Sequence, residues 1–168
     1  MASIKTVAVA GGTGHLGAIV VEQLVKSGLF EVTVVTRGEK GGQIPAAVKM
    51  ITVDYEYVDN LAEALRGFDA VVSVVAGHLS DLQRRLLDAA IIPGVKRFIP
   101  SWFGSDTRLP IVKESPLTSG KIKVAVSIQE KVSKGLIEYT SILGGPRVDW
   151  MMGSDYCMSI PKRHSTIQ

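Results

Sequence analysis

The sequence has 168 residues, which is typical of a single domain of roughly 100–200 residues. Hydrophobic residues make up 46% and charged residues 21%, a balance that predicts a buried core and excludes a disordered chain. The formal net charge is +3, and basic residues cluster only at 162–164 near the end, so we expect no nucleic-acid partner.

Cysteine use and hydropathy indicate the compartment. Cys157 is the single cysteine, which excludes an internal disulfide and is typical of a reducing environment. The first residues lack the basic region and long apolar stretch of a secretory signal. The longest mostly apolar run, residues 70–76, is far shorter than the ~20 residues that cross a bilayer. We therefore expect a cytoplasmic protein with no membrane partner.

Apolar, strand-like runs alternate with stretches of helical period along most of the chain. Strands that alternate with helices across short loops imply parallel βαβ crossovers, so we predict an α/β fold with a doubly wound parallel sheet. The predicted strands are residues 4–10, 31–36, 48–53, 68–76, 95–100 and 137–143. The predicted helices are residues 16–27, 60–66, 81–92 and 121–134.

No internal repeat and no stretch resembling an interdomain linker interrupts this pattern. We assign residues 1–153 to one α/β domain. Residues 154–168 show no period, so we expect an irregular tail there.

A glycine-rich turn joins the first strand to the first helix. Between Gly11 and Gly17 it contains two overlapping glycine spacings, both of which share Gly14. Such glycines permit a tight turn, a close approach of backbone to a pyrophosphate, and packing of the helix on the strand. The helix N-terminus then offers free N–H groups to the phosphates. We expect the phosphate contacts to come from Gly11, Thr13, Gly14, His15, Leu16 and Gly17.

The end of the second strand predicts which dinucleotide binds. An NAD site usually places an acidic residue there to bind the ribose hydroxyls, whereas this chain has Thr36 and Arg37. An arginine can form charge-assisted hydrogen bonds to a 2′-phosphate, each contributing about 1.5–3 kcal/mol. We therefore expect NADP(H) as the cofactor. The alternative is that Arg37 is a solvated loop charge, and the nearby Glu39 leaves that alternative open.

Three separated segments carry a resemblance to a known family. The first joins strand 7–10 and the glycine turn to the ends of the second and third strands. The second is residues 94–104, GVKRFIPSWFG, against the family's GVKRFIPSEFG, and the third lies within residues 138–150. Over residues 3 to about 153 the sequence resembles the NmrA-like and isoflavone-reductase-like atypical short-chain dehydrogenases, most of all their fungal members.

This resemblance implies an NADP(H)-binding Rossmann domain followed by a smaller substrate-binding portion, in reductases of small, often aromatic compounds. It places Asp54 and Tyr55 beside the adenine, and Val75, Ala76 and Gly77 along the cofactor at the end of the fourth strand.

The resemblance also implies a catalytic lysine that opens the helix before the sixth strand. That role falls on Lys121, with Lys123 left open because the helix is slightly longer here. A lysine beside a nicotinamide can bind the ribose and polarise or protonate a carbonyl or enol oxygen. Ser101, at the end of the fifth strand, is a candidate substrate-facing hydroxyl. The alternatives are an exposed helix lysine and a plain loop hydroxyl.

Three departures from the family stand beside these expectations. Trp102 replaces an acidic residue, and Arg147 with Val148 replaces apolar or aromatic residues. The sequence also ends soon after the sixth strand, so we expect a diverged or truncated member that lacks most of the substrate-binding portion. Apolar residues 143–152 would then need a homodimer or a regulatory protein partner to cover them.

Two functions remain open at this point. One is an NADP(H)-dependent oxidoreductase that transfers hydride to a small carbonyl or enol substrate. The other is an NAD(P)-binding redox sensor without catalysis, or an inactive member. The three histidines His15, His78 and His164 form no cluster with cysteine, so we expect no metal site.

Overall fold

The computed structural model describes residues 3–38, 44–76, 80–114 and 118–145. Within them the strands and helices alternate as the sequence pattern predicts. The strands are β1 (Thr6–Ala10), β2 (Glu31–Thr36), β3 (Lys49–Thr52), β4 (Ala70–Ser73), β5 (Arg97–Ile99) and β6 (Glu138–Tyr139). The helices are α1 (His15–Lys26), α2 (Val58–Ala64), α3 (Ser80–Ile91), α4 (Pro110–Lys113) and α5 (Ser119–Ser133).

All six strands pair in parallel, in the order β3-β2-β1-β4-β5-β6. The strand order therefore reverses beside β1, and the crevice at such a reversal is where doubly wound sheets bind their ligands. This topology confirms the predicted Rossmann fold.

The sheet is covered on both faces, as the apolar character of β1 predicts. Ala8 and Ala10 belong to one core cluster, whereas Val7 and Val9 belong to the other, because successive strand residues point to opposite faces. Leu86 of α3 and other residues of α2, α3 and α5 pack into the first cluster, and α1 packs into the second. No described helix is long and apolar enough to cross a membrane.

Most predicted strands extend beyond the observed ones, and the excess is largest at β4 and β6. β4 ends at Ser73 rather than residue 76, because its partner β1 ends at Ala10, where the chain enters the glycine turn. One more hydrogen bond follows, from Val74 N to Ala10 O at 2.8 Å, and the chain then leaves the sheet. β6 likewise covers only two residues of the predicted 137–143, both paired with β5.

A short helix, α4, lies where the sequence predicts only a polar loop. Pro110 occupies its first turn, a position where proline's missing N–H has no helical partner to lose. α5 also begins at Ser119, two residues before the predicted start. The predicted tail, residues 154–168, lies outside the described residues.

The amino ends of three strands are held together by one carboxylate, that of Asp69. Its Oδ2 accepts hydrogen bonds from the backbone N–H of Lys5 at 2.8 Å and of Thr6 at 3.0 Å. Its Oδ1 accepts one from Lys96 Nζ at 2.6 Å. The Lys96 ammonium, followed by these backbone N–H groups, holds the pKa of Asp69 well below its usual value of 3.8.

Replacing Asp69 by asparagine should therefore change how stability depends on pH. A carboxyl group with a lowered folded-state pKa stabilises the fold above its unfolded-state pKa, and this stabilisation is lost as pH falls through the folded-state value. The free energy of unfolding of the native chain should thus fall more steeply below about pH 4 than that of Asp69→Asn. Urea titrations at pH 3 and pH 7 measure the difference, with the exposed Asp59→Asn as control. Parallel curves for the native chain and Asp69→Asn would contradict the assignment.

Candidate functional site

Different structural requirements explain why glycine occupies successive positions of the turn after β1. Gly11 adopts a φ of +82°, and a Cβ there would lie 2.8 Å from the carbonyl oxygen of Val74. A Cβ on Gly17 would overlap the carbonyl oxygen of Gly11, so this glycine is needed for α1 to pack on the turn. A Cβ on Gly14 would meet only the Gly11 oxygen, at 3.4 Å. Gly14 is exposed, which leaves its backbone open to a ligand.

Alanine substitutions should separate these roles. Gly17→Ala should lower the free energy of unfolding by about 1–3 kcal/mol, because its new methyl group is forced into the packed turn. Gly14→Ala should leave stability nearly unchanged and weaken NADPH binding, because the methyl group faces the open side of the turn. Urea denaturation and NADPH titration of both variants make the comparison. Equal loss of stability in the two variants would refute this division of roles.

The first turn of α1 is available to an anion. Gly14 is the N-cap residue, no side chain among the described residues caps the helix, and its first turn contains no acidic residue. The N–H groups of such a turn lack partners inside the helix and carry the positive end of the helix dipole. His15 is exposed as the first helical residue.

A cleft of about 380 Å³ opens over this turn, at the carboxyl ends of β1, β2 and β4. Of the predicted cofactor residues that the structure describes, it brings together all except Asp54. Those that line it are Gly11, Thr13, Gly14, His15, Leu16, Gly17, Arg37, Tyr55, Val75 and Ala76. Among its described lining residues, Arg37 is the only arginine or lysine, and none is an aspartate or glutamate.

The wall of the cleft between β2 and β3 is fixed by a buried phenol. The Tyr55 hydroxyl donates a hydrogen bond to the carbonyl oxygen of Val35 at 2.7 Å. Burial raises the pKa of Tyr55 well above its usual value of 10.0, and the nearby Arg37 offsets this only in part. Tyr55 is therefore a protonated structural group at neutral pH, and it ties the end of β3 to the strand that carries Arg37.

One described cofactor residue of the prediction, Asp54, lies elsewhere. Asp54 is exposed in a separate depression beside α2, which Asn60 and Glu63 also line. Its Oδ1 accepts a hydrogen bond from the backbone N–H of Glu56 at 2.9 Å, so it shapes the loop after β3. Its contact with adenine stays a prediction. Gly77, like Glu39, lies outside the described residues.

Ser101 lies outside the described lining of the cleft and joins the ends of β4 and β5 on the side opposite Arg37. The Ser101 hydroxyl donates to the carbonyl oxygen of Val75 at 2.7 Å. The Ser101 backbone N–H donates to Oε1 of the buried Gln83 at 2.6 Å. The hydroxyl proton is thus committed to the protein, while the hydroxyl oxygen keeps acceptor capacity.

Lys121 lies in the first turns of α5, outside the described lining of the cleft. Its Nζ is 3.8 Å from where a Cβ on Gly104 would be, so it approaches the segment that follows β5. Burial lowers the pKa of Lys121 below its usual value of 10.5. Lys123, the alternative, is exposed. The structure therefore distinguishes the two lysines by their surroundings.

Trp102, which replaces the family's acidic residue, is a core side chain. It is buried and packs edge-on against the Tyr139 ring, with the ring centroids 6.3 Å apart. Its buried indole Nε1 has no hydrogen-bond partner among the described residues. An acidic residue could not occupy such apolar surroundings without a large desolvation cost.

Four further residues line the cleft that sequence reasoning missed, namely Val35, Thr36, Val74 and Leu82. The first three adjoin predicted site residues at strand ends, so the parallel topology could have indicated them. Leu82 belongs to α3, and only the packing of that helix beside the cleft reveals it. No group of three or more His, Cys, Asp or Glu side chains suited to a metal occurs among the described residues.

Comparison with known proteins agrees with this geometry. A family model described as NAD(P)H-binding matches residues 11–131, from the glycine turn into α5. The chain belongs to this NAD(P)H-binding family. Its resemblance to the NmrA-like and isoflavone-reductase-like proteins is also confirmed, because a fungal oxidoreductase and a pinoresinol-lariciresinol reductase of Thuja plicata align along most of the chain.

Among curated relatives, the oxidoreductase aprR of Aspergillus flavus is 32% identical, over 98% of this chain and 56% of the relative. The oxidoreductase BOA1 of Botryotinia fuckeliana is 34% identical, over 86% of this chain and 49% of the relative. This member of the NAD(P)H-binding family thus spans about half the length of the curated relatives it matches.

A solved structure titled AtPrR2 with NADP+ and (+)pinoresinol superimposes with a TM-score of 0.72 at 24% identity. The match covers 90% of this chain and 53% of that chain. At this identity the likeness shows the shared fold, and it confirms the Rossmann architecture of the NAD(P)H-binding family.

Proposed function

We propose that this chain binds NADP(H) in preference to NAD(H), and that the protein uses it to reduce a small carbonyl or enol compound, such as one attached to an aromatic ring. Phosphate binding is assigned to the turn from Gly11 to Gly17. Recognition of the 2′-phosphate is assigned to Arg37, and positioning of the reacting oxygen to Lys121.

One observation carries the cofactor preference: the chemistry of the cleft beside the end of β2. Arg37 lies on this wall, and no described lining residue is a carboxylate that could accept hydrogen bonds from free ribose hydroxyls. A guanidinium offers paired donors to a phosphate, and a carboxylate in its place would repel one. The charge of the cleft therefore favours the 2′-phosphorylated dinucleotide.

The relatives support a reductive use of the cofactor. The two fungal relatives are named oxidoreductases, and the structure of AtPrR2, which shares this fold, was solved with NADP+ and (+)pinoresinol. Those proteins are about twice as long as this chain. The substrate class proposed for this protein is therefore taken from the chemistry of its relatives and not from its described residues.

NADPH would supply the hydride, and the chain's own groups would prepare the site for its transfer. The first turn of α1 holds the phosphates, while Val75 and Ala76 border the cofactor at the end of β4. Lys121, whose partial burial makes its ammonium more acidic than usual, donates a hydrogen bond or a proton to the substrate oxygen as negative charge develops there.

Calorimetric titration of the whole chain with NADPH and with NADH tests the cofactor assignment. We expect binding of NADPH to be roughly 10- to 100-fold tighter. Equal affinities would contradict the proposal. Tight NADPH binding without oxidation of NADPH by any of a panel of aromatic ketones and enols would instead favour the redox sensor.

A further inference from the structure

Helix α3 contacts the cleft at one end of its length and reaches both of its walls. Leu82 lines the cleft directly, and the side chains of Gln83 and Arg85 extend from the same turn of the helix. The fold needs α3 to cover the sheet, but apolar residues such as Leu86 and Leu87 are sufficient for that purpose. The polar contacts of Gln83 and Arg85 need a separate explanation.

Arg85 holds the wall formed by β2 and β3. Its Nε donates a hydrogen bond to the carbonyl oxygen of Tyr55 at 2.9 Å, and its guanidinium pairs with Glu56 Oε1 at 2.8 Å. Tyr55 in turn bonds to Val35, on the strand that leads to Arg37. The Arg85 contacts therefore fix the part of the cleft assigned to the adenosine 2′-phosphate.

Gln83 holds the other wall. Its Oε1 accepts the backbone N–H of Ser101, whose hydroxyl is bonded to Val75. Ser101 is three residues before Gly104, which Lys121 approaches. The Gln83 contact therefore fixes the ends of β4 and β5, on the far side of the glycine turn from Arg37.

We propose that Arg85 and Gln83 are positioning residues that hold the two halves of the cofactor cleft independently, Arg85 the adenosine half and Gln83 the nicotinamide half. This inference rests on the proposed binding of NADP(H). Neither side chain needs to touch the cofactor. Each acts through a backbone segment that lines or adjoins the cleft. Loss of either side chain should therefore weaken the binding of a different half of the dinucleotide.

Two ligands separate the halves: adenosine 2′,5′-bisphosphate, which fills only the adenosine half, and NADPH, which fills both. Arg85→Met in the full chain should weaken both ligands by a similar factor, roughly tenfold. Gln83→Met should leave the affinity for the bisphosphate within about twofold, weaken NADPH roughly tenfold, and change the fluorescence of bound NADPH. A general loss of structure would weaken both ligands in both variants.

Matched variants control the experiment. Arg84→Met replaces an exposed arginine on the same helix and should leave both affinities unchanged. If thermal melting shows that Gln83→Met is unfolded, Ser101→Ala removes only the bond to Val75 and must give the same split.

Two results would overturn the inference: equal weakening of both ligands by Gln83→Met, or no effect of either substitution. A wild-type chain that binds neither ligand would instead contradict the proposed cofactor function, so the two failures are distinguishable.

Discussion

Replacing Lys121 by alanine is expected to lower kcat for NADPH-dependent reduction by roughly 10²–10⁴-fold, the range for loss of a positioned acid or base. NADPH affinity should change much less, because Lys121 lies outside the described lining of the cofactor cleft. NADPH oxidation at 340 nm, measured on a panel of aromatic ketones and enols, gives kcat for the native chain and the variant.

Lys123→Ala is the matched control, since Lys123 is exposed on the same helix two residues away. It should leave kcat unchanged. The native kcat should also fall as pH rises through the lowered pKa of Lys121, because the ammonium that donates is then lost. An unchanged kcat in Lys121→Ala would assign the proton donor to another group.

The second large effect is expected from Arg37→Ala, which should weaken NADPH binding by roughly 10- to 100-fold and leave NADH binding nearly unchanged. The reason is that Arg37 is the only arginine or lysine among the described lining residues, so its loss removes the donors offered to the 2′-phosphate. Calorimetry with each dinucleotide measures the two affinities. Salt should weaken the native preference, because Arg37 is exposed and its charge is screened.

Arg84→Ala provides the comparison for loss of one exposed positive charge away from the cleft. Its NADPH affinity should match that of the native chain. An Arg37→Ala chain that still prefers NADPH by the native factor would show that Arg37 is a solvated loop charge.

Much of the fold could be predicted because the spacing of apolar residues and the positions of turn residues are both visible in short stretches of sequence. The valine-rich run of β2 and the glycine turn before α1 can both be identified from the local sequence, without tertiary information. The length of β4 could not be predicted in this way. Its apolar run continues to Ala76, but its ladder ends where β1 ends, and only the pairing register determines that point.

The residues of the site likewise divide into those that local sequence predicts and those that depend on tertiary packing. Arg37 and the glycine turn could be predicted because their spacing from the strands fixes their place at the carboxyl edge of the sheet. Leu82, Gln83 and Arg85 could not, because their roles depend on which turn of α3 lies beside the cleft. The sequence indicates that Trp102 departs from the family pattern, but its role as a buried core residue follows only from its packing against Tyr139.

The hydrogen bond from Tyr55 to Val35 has a consequence for how long a bound dinucleotide stays in the cleft. Because it joins the ends of β2 and β3 within the chain itself, this wall needs no ordering when a dinucleotide arrives. A preformed site lowers the entropy cost of association, and affinity differences among close variants of such a site lie mainly in the dissociation rate. The preference for a 2′-phosphate should therefore be expressed as the residence time of the bound cofactor.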